Sequence, residues 1–133
     1  MIRKDYILRQ IGQILEALMR KFSKIQSGND AYNPDEFQDL YQKYFNKKRD
    51  FFVALSTDEI ANFFNENYDS GEVFARLQLL AELLFGEGQV LSNDILQIKG
   101  MQILQYVIEH SSTFDWDRNR RLSEMKNLMA QQN

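Results

Sequence analysis

The residue types that most often carry out chemistry are sparse in this sequence. His110 is its only histidine, it has no cysteine, and no GxSxG, HExxH or phosphate-loop pattern occurs. A metal site needs several converging ligands, and a catalytic base needs a partner that orients it. His110 follows Glu109 at the end of a segment with helical periodicity, where a histidine stabilises the helix dipole. We therefore predict no catalytic, cofactor-binding or metal-binding residues and no enzymatic activity.

Residues 115–126 begin like a calcium-binding loop. Asp115, Asp117 and Asn119 alternate in the way that the first ligands of such a loop do. The loop then requires a glycine and a later bidentate glutamate, and Arg120 and Lys126 occupy these positions. We predict instead that Asp115 caps a helix and that Asp117 favours its first turn.

Two other short patterns have structural explanations. The GEG sequence at 86–88 lacks the third glycine and the preceding strand of a dinucleotide-binding fingerprint, and we interpret it as a turn. The acidic pair Asp58–Glu59 lies at a predicted helix start, where the helix dipole and capping explain it.

One stretch, YQKYFNKKRDFF at residues 41–52, mixes basic and aromatic residues, and WDRNRR at 116–121 repeats the mixture on a smaller scale. Proteins that bind single-stranded nucleic acid combine a basic groove with exposed stacking rings. The sequence leaves open whether the rings of 41–52 are core or a binding surface, and the net charge of −3 disfavours nucleic acid as a partner. The candidate anion contacts are Lys47, Lys48, Arg49, Arg118, Arg120 and Arg121.

The charge is unevenly distributed, because residues 1–26 contain six basic and two acidic side chains in a chain that is acidic overall. Arg9, Gln13 and Glu16 interrupt the apolar run that a signal peptide would need. No stretch approaches the ~20 apolar residues of a membrane span. Together with the lack of cysteine, these features predict a soluble cytoplasmic protein without a membrane partner.

The longest helical pattern covers residues 3–26. Its apolar residues recur at intervals of three and four, so they share one face of a helix. Ile7 and Ile14 widen this face beyond the seam of a coiled coil, which favours packing within the chain, then homodimerisation, then a membrane surface. The stripe, which is also the candidate self-association surface, consists of Leu8, Ile11, Leu15, Leu18, Phe22 and Ile25.

Capping patterns predict the next helices. Asn33, Pro34 and Glu36 resemble a capping box at the start of a helix over 34–47, and STDE at 56–59 is a second such box. A short helical turn is expected between these two helices.

The second half of the chain shows three further helical patterns. The GEGQ segment is predicted to end a helix over 70–85, and Ser92 or Asn93 to cap the next, which would bury Ile95 and extend to about residue 109. We predict an all-α fold of five or six helices in a single domain over 1–133, with tetratricopeptide-like or bundle packing. Its parts are the helix 3–26, helical hairpins at 34–67 and 70–109, and a last helix at 116–130.

Two resemblances bear on the fold. MIRKDYILRQI resembles the start of a family of small uncharacterised bacterial proteins known only as a domain of unknown function, which implies a bacterial helical protein and no specific activity. Residues 70–109 resemble a tetratricopeptide hairpin, with Leu77, Ala81, Gly100 and Leu104 at the packing positions. No stacked copies of this hairpin occur, so the resemblance implies one hairpin and not an array.

These observations favour a helical module for protein–protein interaction or scaffolding, without catalysis and with an unknown protein partner. The alternative is a nucleic-acid or anion binder that uses the basic residues at 47–49 and 118–121.

Overall fold

The computed structural model describes residues 2–112 and 115–132 of the chain, and the side chains from Asp5 onward. Within these ranges the chain is all-α and contains no strand, as predicted, but it has seven helices because the turn after residue 48 is a separate short helix. They are α1 (Ile2–Gln26), α2 (Pro34–Phe45), α3 (Arg49–Val53), α4 (Thr57–Asn67), α5 (Val73–Leu91), α6 (Asp94–His110) and α7 (Trp116–Gln132).

Side-chain caps begin α2, α4 and α6 as the sequence predicts. The Asn33 side chain accepts a hydrogen bond of 3.0 Å from the backbone N–H of Asp35. Ser56 and Glu59 form a complete capping box, with reciprocal hydrogen bonds of 3.1 and 2.9 Å. Asn93 caps α6 through a hydrogen bond of 3.1 Å from the backbone N–H of Leu96. These bonds satisfy N–H groups that the helices themselves leave without partners.

The predicted helix end at GEGQ is wrong, because α5 continues through both glycines to Leu91. A β-carbon at Gly86 would lie 2.1 Å from the Phe22 ring of α1, and one at Gly88 would lie 2.6 Å from Gln97 Cγ of α6. The glycines therefore allow two neighbouring helices to approach α5, and this packing offsets their low helix propensity. The residue after the helix, Ser92, has a left-handed φ of 51° and caps its C-terminus.

Two smaller predictions differ from the structure. The Glu36 N–H donates a hydrogen bond of 3.4 Å to Asn33, as in a capping box, but the Glu36 carboxylate forms an ion pair of 2.9 Å with Lys21 of α1. Ile95, in the first turn of α6, was predicted to be buried and is 65% exposed.

The core surrounds α5, whose residues from Leu79 to Gly88 are all buried. The most extensive helix–helix interface joins α5 to α6, which are connected by Ser92 and Asn93 alone, and α1 packs on another side of α5. The rings of Phe45, Phe52 and Phe64 are fully buried and contact one another at centroid distances of 5.7 to 6.0 Å. Tyr41, Phe45 and Phe52 of the stretch 41–52 therefore belong to the core, and Tyr44 and Phe51 pack against it at intermediate exposure.

The apolar stripe of α1 packs within the chain. Ile11 and Leu18 are buried, and Leu15, Phe22 and Ile25 pack against the core at intermediate exposure. Phe22 stacks on Phe37 of α2 with ring centroids 5.1 Å apart. Self-association through this stripe stays a prediction.

Candidate functional site

The residues that resemble chemical motifs have structural roles. His110 lies at the end of α6, where its Nδ1 is 2.9 Å from the backbone oxygen of Tyr106 and its ring stacks on the Tyr106 ring. Asp115 accepts hydrogen bonds of 2.9 and 3.2 Å from the backbone N–H groups of Asp117 and Arg118, so it caps α7. Across residues 2–112 and 115–132, no group of three or more His, Cys, Asp or Glu side chains is placed to hold a metal ion.

A buried carboxylate lies near the middle of the molecule. Glu87 of α5 is 0% exposed, and its carboxylate accepts a hydrogen bond from the hydroxyl of Tyr32, in the segment before α2. Arg49 of α3 approaches it with Nη1 at 3.4 and 3.5 Å from the two oxygens. Tyr41 of α2 is fully buried beside the same carboxylate without a well-aligned hydrogen bond to it.

The electrostatics of this cluster favour protonated tyrosines. Burial, followed by the charge of Glu87, raises the pKa of Tyr41 well above its ordinary value. Burial and the hydrogen bond to Glu87 also raise the pKa of Tyr32. A raised tyrosine pKa keeps the hydroxyl protonated at neutral pH. The hydrogen bond from Tyr32 and the ion pair with Arg49 connect the segment before α2 and the helix α3 to α5.

A second buried carboxylate attaches α7 to α5. Glu82 is 2% exposed, and it accepts hydrogen bonds of 2.7 Å from Nε and 2.9 Å from Nη2 of Arg121. Arg118 of the same helix donates a hydrogen bond of 2.8 Å to the side chain of Gln78. The two parallel hydrogen bonds between Arg121 and Glu82 are the strongest arrangement of a guanidinium group and a carboxylate.

The six basic residues that the sequence suggested as anion contacts lie in different surroundings. Arg49 and Arg121 bind the buried carboxylates of α5, and the exposed Arg120 pairs with Asp117 at 2.8 Å. Lys47 lies over the Phe51 ring at 4.9 Å. Lys48 is exposed at the start of α3. Arg121 alone of the six lines either of the two openings described below. Their role as anion contacts stays a prediction.

A groove lies between α1 and α2, and we call it the α1–α2 groove. It has a volume of about 710 Å³ and α5 forms its floor. Leu79 and Leu83 of α5 lie at the bottom, and Leu40 and Tyr44 form the apolar part of the α2 wall. The α1 wall consists of Ile7, Gln10, Ile11, Gln13, Ile14, Ala17, Leu18 and Lys21.

Charged side chains line the edge of the α1–α2 groove. Among the described residues they are Lys21, Lys43, Arg76 and Glu36. Arg76 forms an ion pair of 2.9 Å with the buried Glu72 of the segment before α5. Lys21 is held by ion pairs of 2.8 Å to Asp30 and 2.9 Å to Glu36, and these hydrogen bonds raise its pKa. Lys43 is exposed and, among the described residues, has no ion-pair partner.

The sequence contained an indirect signal for this groove. Ile7 and Ile14 widen the apolar face of α1 beyond what one packing surface needs, and both line the groove. Sequence reasoning did not identify Leu40, Lys43 or Arg76 as neighbours of α1, because nothing in a helical pattern says which helices lie side by side.

A smaller cavity of about 320 Å³ lies between α1, α5 and α7. Glu82 and Arg121 line it, together with Phe22, Gly86 and Leu128. The two charged side chains that line this cavity, Glu82 and Arg121, form an ion pair with each other, so a ligand would have to compete with that pair.

No protein-family model, curated protein or solved structure matches the chain. In the part of the chain that the structure describes, none of the helices has the length and apolar character that crossing a bilayer requires.

Proposed function

We propose that this chain is a helical protein–protein interaction module without catalytic activity, and that it binds a segment of a partner protein in the α1–α2 groove. The observation that carries the proposal is the groove itself, an opening of about 710 Å³ with an apolar floor and a polar edge. Binding sites are concave surfaces of this kind, in which apolar contacts supply affinity and a few polar groups fix orientation. A cytoplasmic location and a tetratricopeptide-like use of the α5–α6 hairpin are compatible parts of this proposal.

The alternative, a nucleic-acid or anion binder, has less support from the arrangement of charges. Arg49 and Arg121 are engaged with fully desolvated carboxylates, and a phosphate would have to displace these intramolecular partners. Two of the rings that could stack on bases, those of Phe45 and Phe52, are buried, whereas Trp116 in the second basic and aromatic stretch is 78% exposed.

Affinity capture with variants of the groove tests the proposal. Ala17 is exposed on the α1 wall, so Ala17→Arg places a long charged side chain in the groove without disturbing the core. Ala130→Arg makes the same change at an exposed position of α7 and serves as the matched control. Each protein is used to capture partners from a lysate with and without nuclease and at low and high salt, and the bound proteins are identified by mass spectrometry.

We expect partner proteins that survive nuclease and high salt, and that are lost with Ala17→Arg but retained with Ala130→Arg. Partners unaffected by Ala17→Arg would contradict a role for the groove. Capture of nucleic acid that disappears as the salt concentration rises would favour the alternative, because phosphate contacts release counterions.

A further inference from the structure

The last helix, α7, contributes few apolar side chains to the core. It has 17 residues, of which Leu122 and Met125 are buried and Leu128 packs against the core at intermediate exposure. The helix α6 has the same length and contributes four buried and three partly buried apolar side chains. Because apolar burial is the dominant favourable term in folding, apolar contacts hold α7 more weakly than they hold α6.

Polar contacts attach both halves of α7 to α5 and α6. In the first half, Arg121 donates hydrogen bonds of 2.7 and 2.9 Å to the buried carboxylate of Glu82. At the end of the helix, the Gln132 side chain accepts a hydrogen bond of 2.9 Å from Gln97 and donates one of 3.2 Å to the backbone oxygen of Gln89. Undocking of α7 would exchange these bonds for bonds to water, so their net stabilisation is modest. It would also return the Glu82 carboxylate to water, which offsets the loss of its ion pair.

The interface beneath α7 also contains a void. The cavity of about 320 Å³ lies between α1, α5 and α7, and Arg121 and Leu128 of α7 line it opposite Phe22 of α1 and Gly86 of α5. Protein interiors contain few voids larger than a water molecule, so α7 is less closely packed here than the core is. The helix nevertheless covers the cavity, and it helps to keep Glu82 only 2% exposed.

We infer that α7 is a lid, which undocks from α5 and α6 as one unit while the α5–α6 hairpin stays folded. Its undocking opens the cavity and exposes the Glu82 carboxylate. Proteins open locally at lower free energies than global unfolding requires, and segments with few buried apolar contacts open most readily. This inference goes beyond the proposed function and does not depend on it, because α7 contributes no lining residue to the α1–α2 groove.

Native-state hydrogen exchange of the full chain tests the inference. The exchange of peptides from each helix is measured by mass spectrometry at several low concentrations of urea. We expect all of α7 to exchange through a single opening whose free energy and urea dependence are both smaller than those of α5 and α6. The urea dependence is smaller because the undocking of one helix exposes less surface than global unfolding does.

Replacement of Arg121 tests the role of the ion pair. Arg121→Met leaves Glu82 buried without its charged partner while α7 is docked, and undocking removes this penalty. We expect exchange throughout α7 to accelerate by about ten- to a hundredfold, and exchange of α5 and α6 to change less.

Two further variants serve as controls. Arg120→Met removes the partner of Asp117 in an exposed ion pair on the same helix, and it should change the exchange of α7 by about twofold or less. Arg121→Met combined with Glu82→Met removes both members of the buried pair. This double variant should restore slow exchange, because two apolar side chains leave no buried charge without a partner.

Three outcomes would overturn the inference. If α7 exchanged with the same free energy and urea dependence as α5 and α6, the helices would form one cooperative unit. If fast exchange were confined to the last turn of α7, the chain end would fray without undocking of the helix. If Arg121→Met accelerated exchange equally in all helices, the ion pair would stabilise the whole fold and would not control a lid. The first two outcomes are measured on the unaltered chain, so they do not depend on the folding of a variant.

Discussion

At the scale of single residues, the two buried carboxylates of α5 are compensated differently. Glu82 has a close two-pronged contact with Arg121, whereas Glu87 has a tyrosine hydroxyl and a more distant guanidinium group. The desolvation of a carboxylate is costly, so the partners of both groups are needed for the fold. Glu87 relies on a neutral donor, and its environment therefore depends on the protonation of Tyr32.

Tyr32 is expected to make the stability of the chain sensitive to alkaline pH. Its pKa is raised in the folded state by burial and by Glu87, so folding favours the protonated hydroxyl. This contribution is fully present below the unfolded pKa of about 10 and decreases as the pH rises above it. Tyr32→Phe should cost about 1.5–3 kcal/mol near pH 8, the range for a hydrogen bond to a charged group.

Urea unfolding at several pH values between 8 and 11 would measure this effect. The difference in unfolding free energy between the native chain and Tyr32→Phe should narrow above pH 10. The same comparison in a Glu87→Gln background should narrow less, because the neutral amide does not repel the phenolate. A difference that stays constant across the pH range would rule out this role of Tyr32.

The side chains that cap helices were predictable from the sequence. Asn33, Ser56 and Asp115 cap helices as predicted, because a cap depends on residues only two or three positions away. The partners of Arg49 and Arg121 were not predictable. They depend on contacts with Glu87 and Glu82 across 38 and 39 positions of sequence, which no local pattern encodes.

At the scale of helices, glycine residues allow α5 and α6 to pack closely against each other. A β-carbon at Gly100 of α6 would lie 2.6 Å from the backbone oxygen of Ala81 on α5. A backbone atom in the middle of a helix cannot move aside as a side chain can. The same residue type has no such role at Gly12 of α1, where nothing lies within 4 Å of the added carbon.

Alanine substitutions at these two glycines should therefore have opposite effects. Gly100→Ala forces α5 and α6 apart and should lower the unfolding free energy by about 1–3 kcal/mol. Gly12→Ala improves the helix propensity of an exposed position and should raise the unfolding free energy by about 0.5–1 kcal/mol. Urea denaturation of both variants measures the two changes. A neutral effect of Gly100→Ala would mean that the α5–α6 interface is looser than the structure indicates.

Helix positions were largely predictable because apolar periodicity and caps act locally, and α1 was assigned to within one residue of its observed bounds. The end of α5 was not predictable, since glycine in a sequence looks the same whether it stops a helix or admits a neighbour. The contacts of Gly86 with Phe22 and of Gly88 with Gln97 show that these glycines admit neighbouring helices. The α1–α2 groove was unpredictable for the same reason, because it is formed by three helices distant in sequence.

At the scale of the whole molecule, α1 contributes to the core and also provides one wall of the groove. Leu18 is 7% exposed and belongs to the core, whereas Tyr6 of the same helix is 57% exposed. Packing within the chain therefore uses part of the stripe, and self-association through the rest of it stays a prediction.

Leu18→Asp should unfold or strongly destabilise the chain, by about 3–5 kcal/mol, because it removes a buried side chain and introduces a charge. Tyr6→Asp makes a similar change at an exposed site and should alter stability by about 0.5 kcal/mol or less. Thermal denaturation measures both, and sedimentation measures the oligomeric state in parallel. A Leu18→Asp chain that stayed folded but changed from dimer to monomer would show that the stripe serves an interface between copies.

The two-residue link between α5 and α6 has a consequence for how the chain folds. The largest interface forms between neighbouring segments, so it closes with little loss of chain entropy, whereas α1 must find α5 across an intervening stretch of more than forty residues. We expect the α5–α6 hairpin to form early and α1 to dock late. During synthesis α1 is made before α5 and has no docking surface on it until α5 emerges, so its apolar stripe is exposed on the nascent chain at the stage most vulnerable to aggregation.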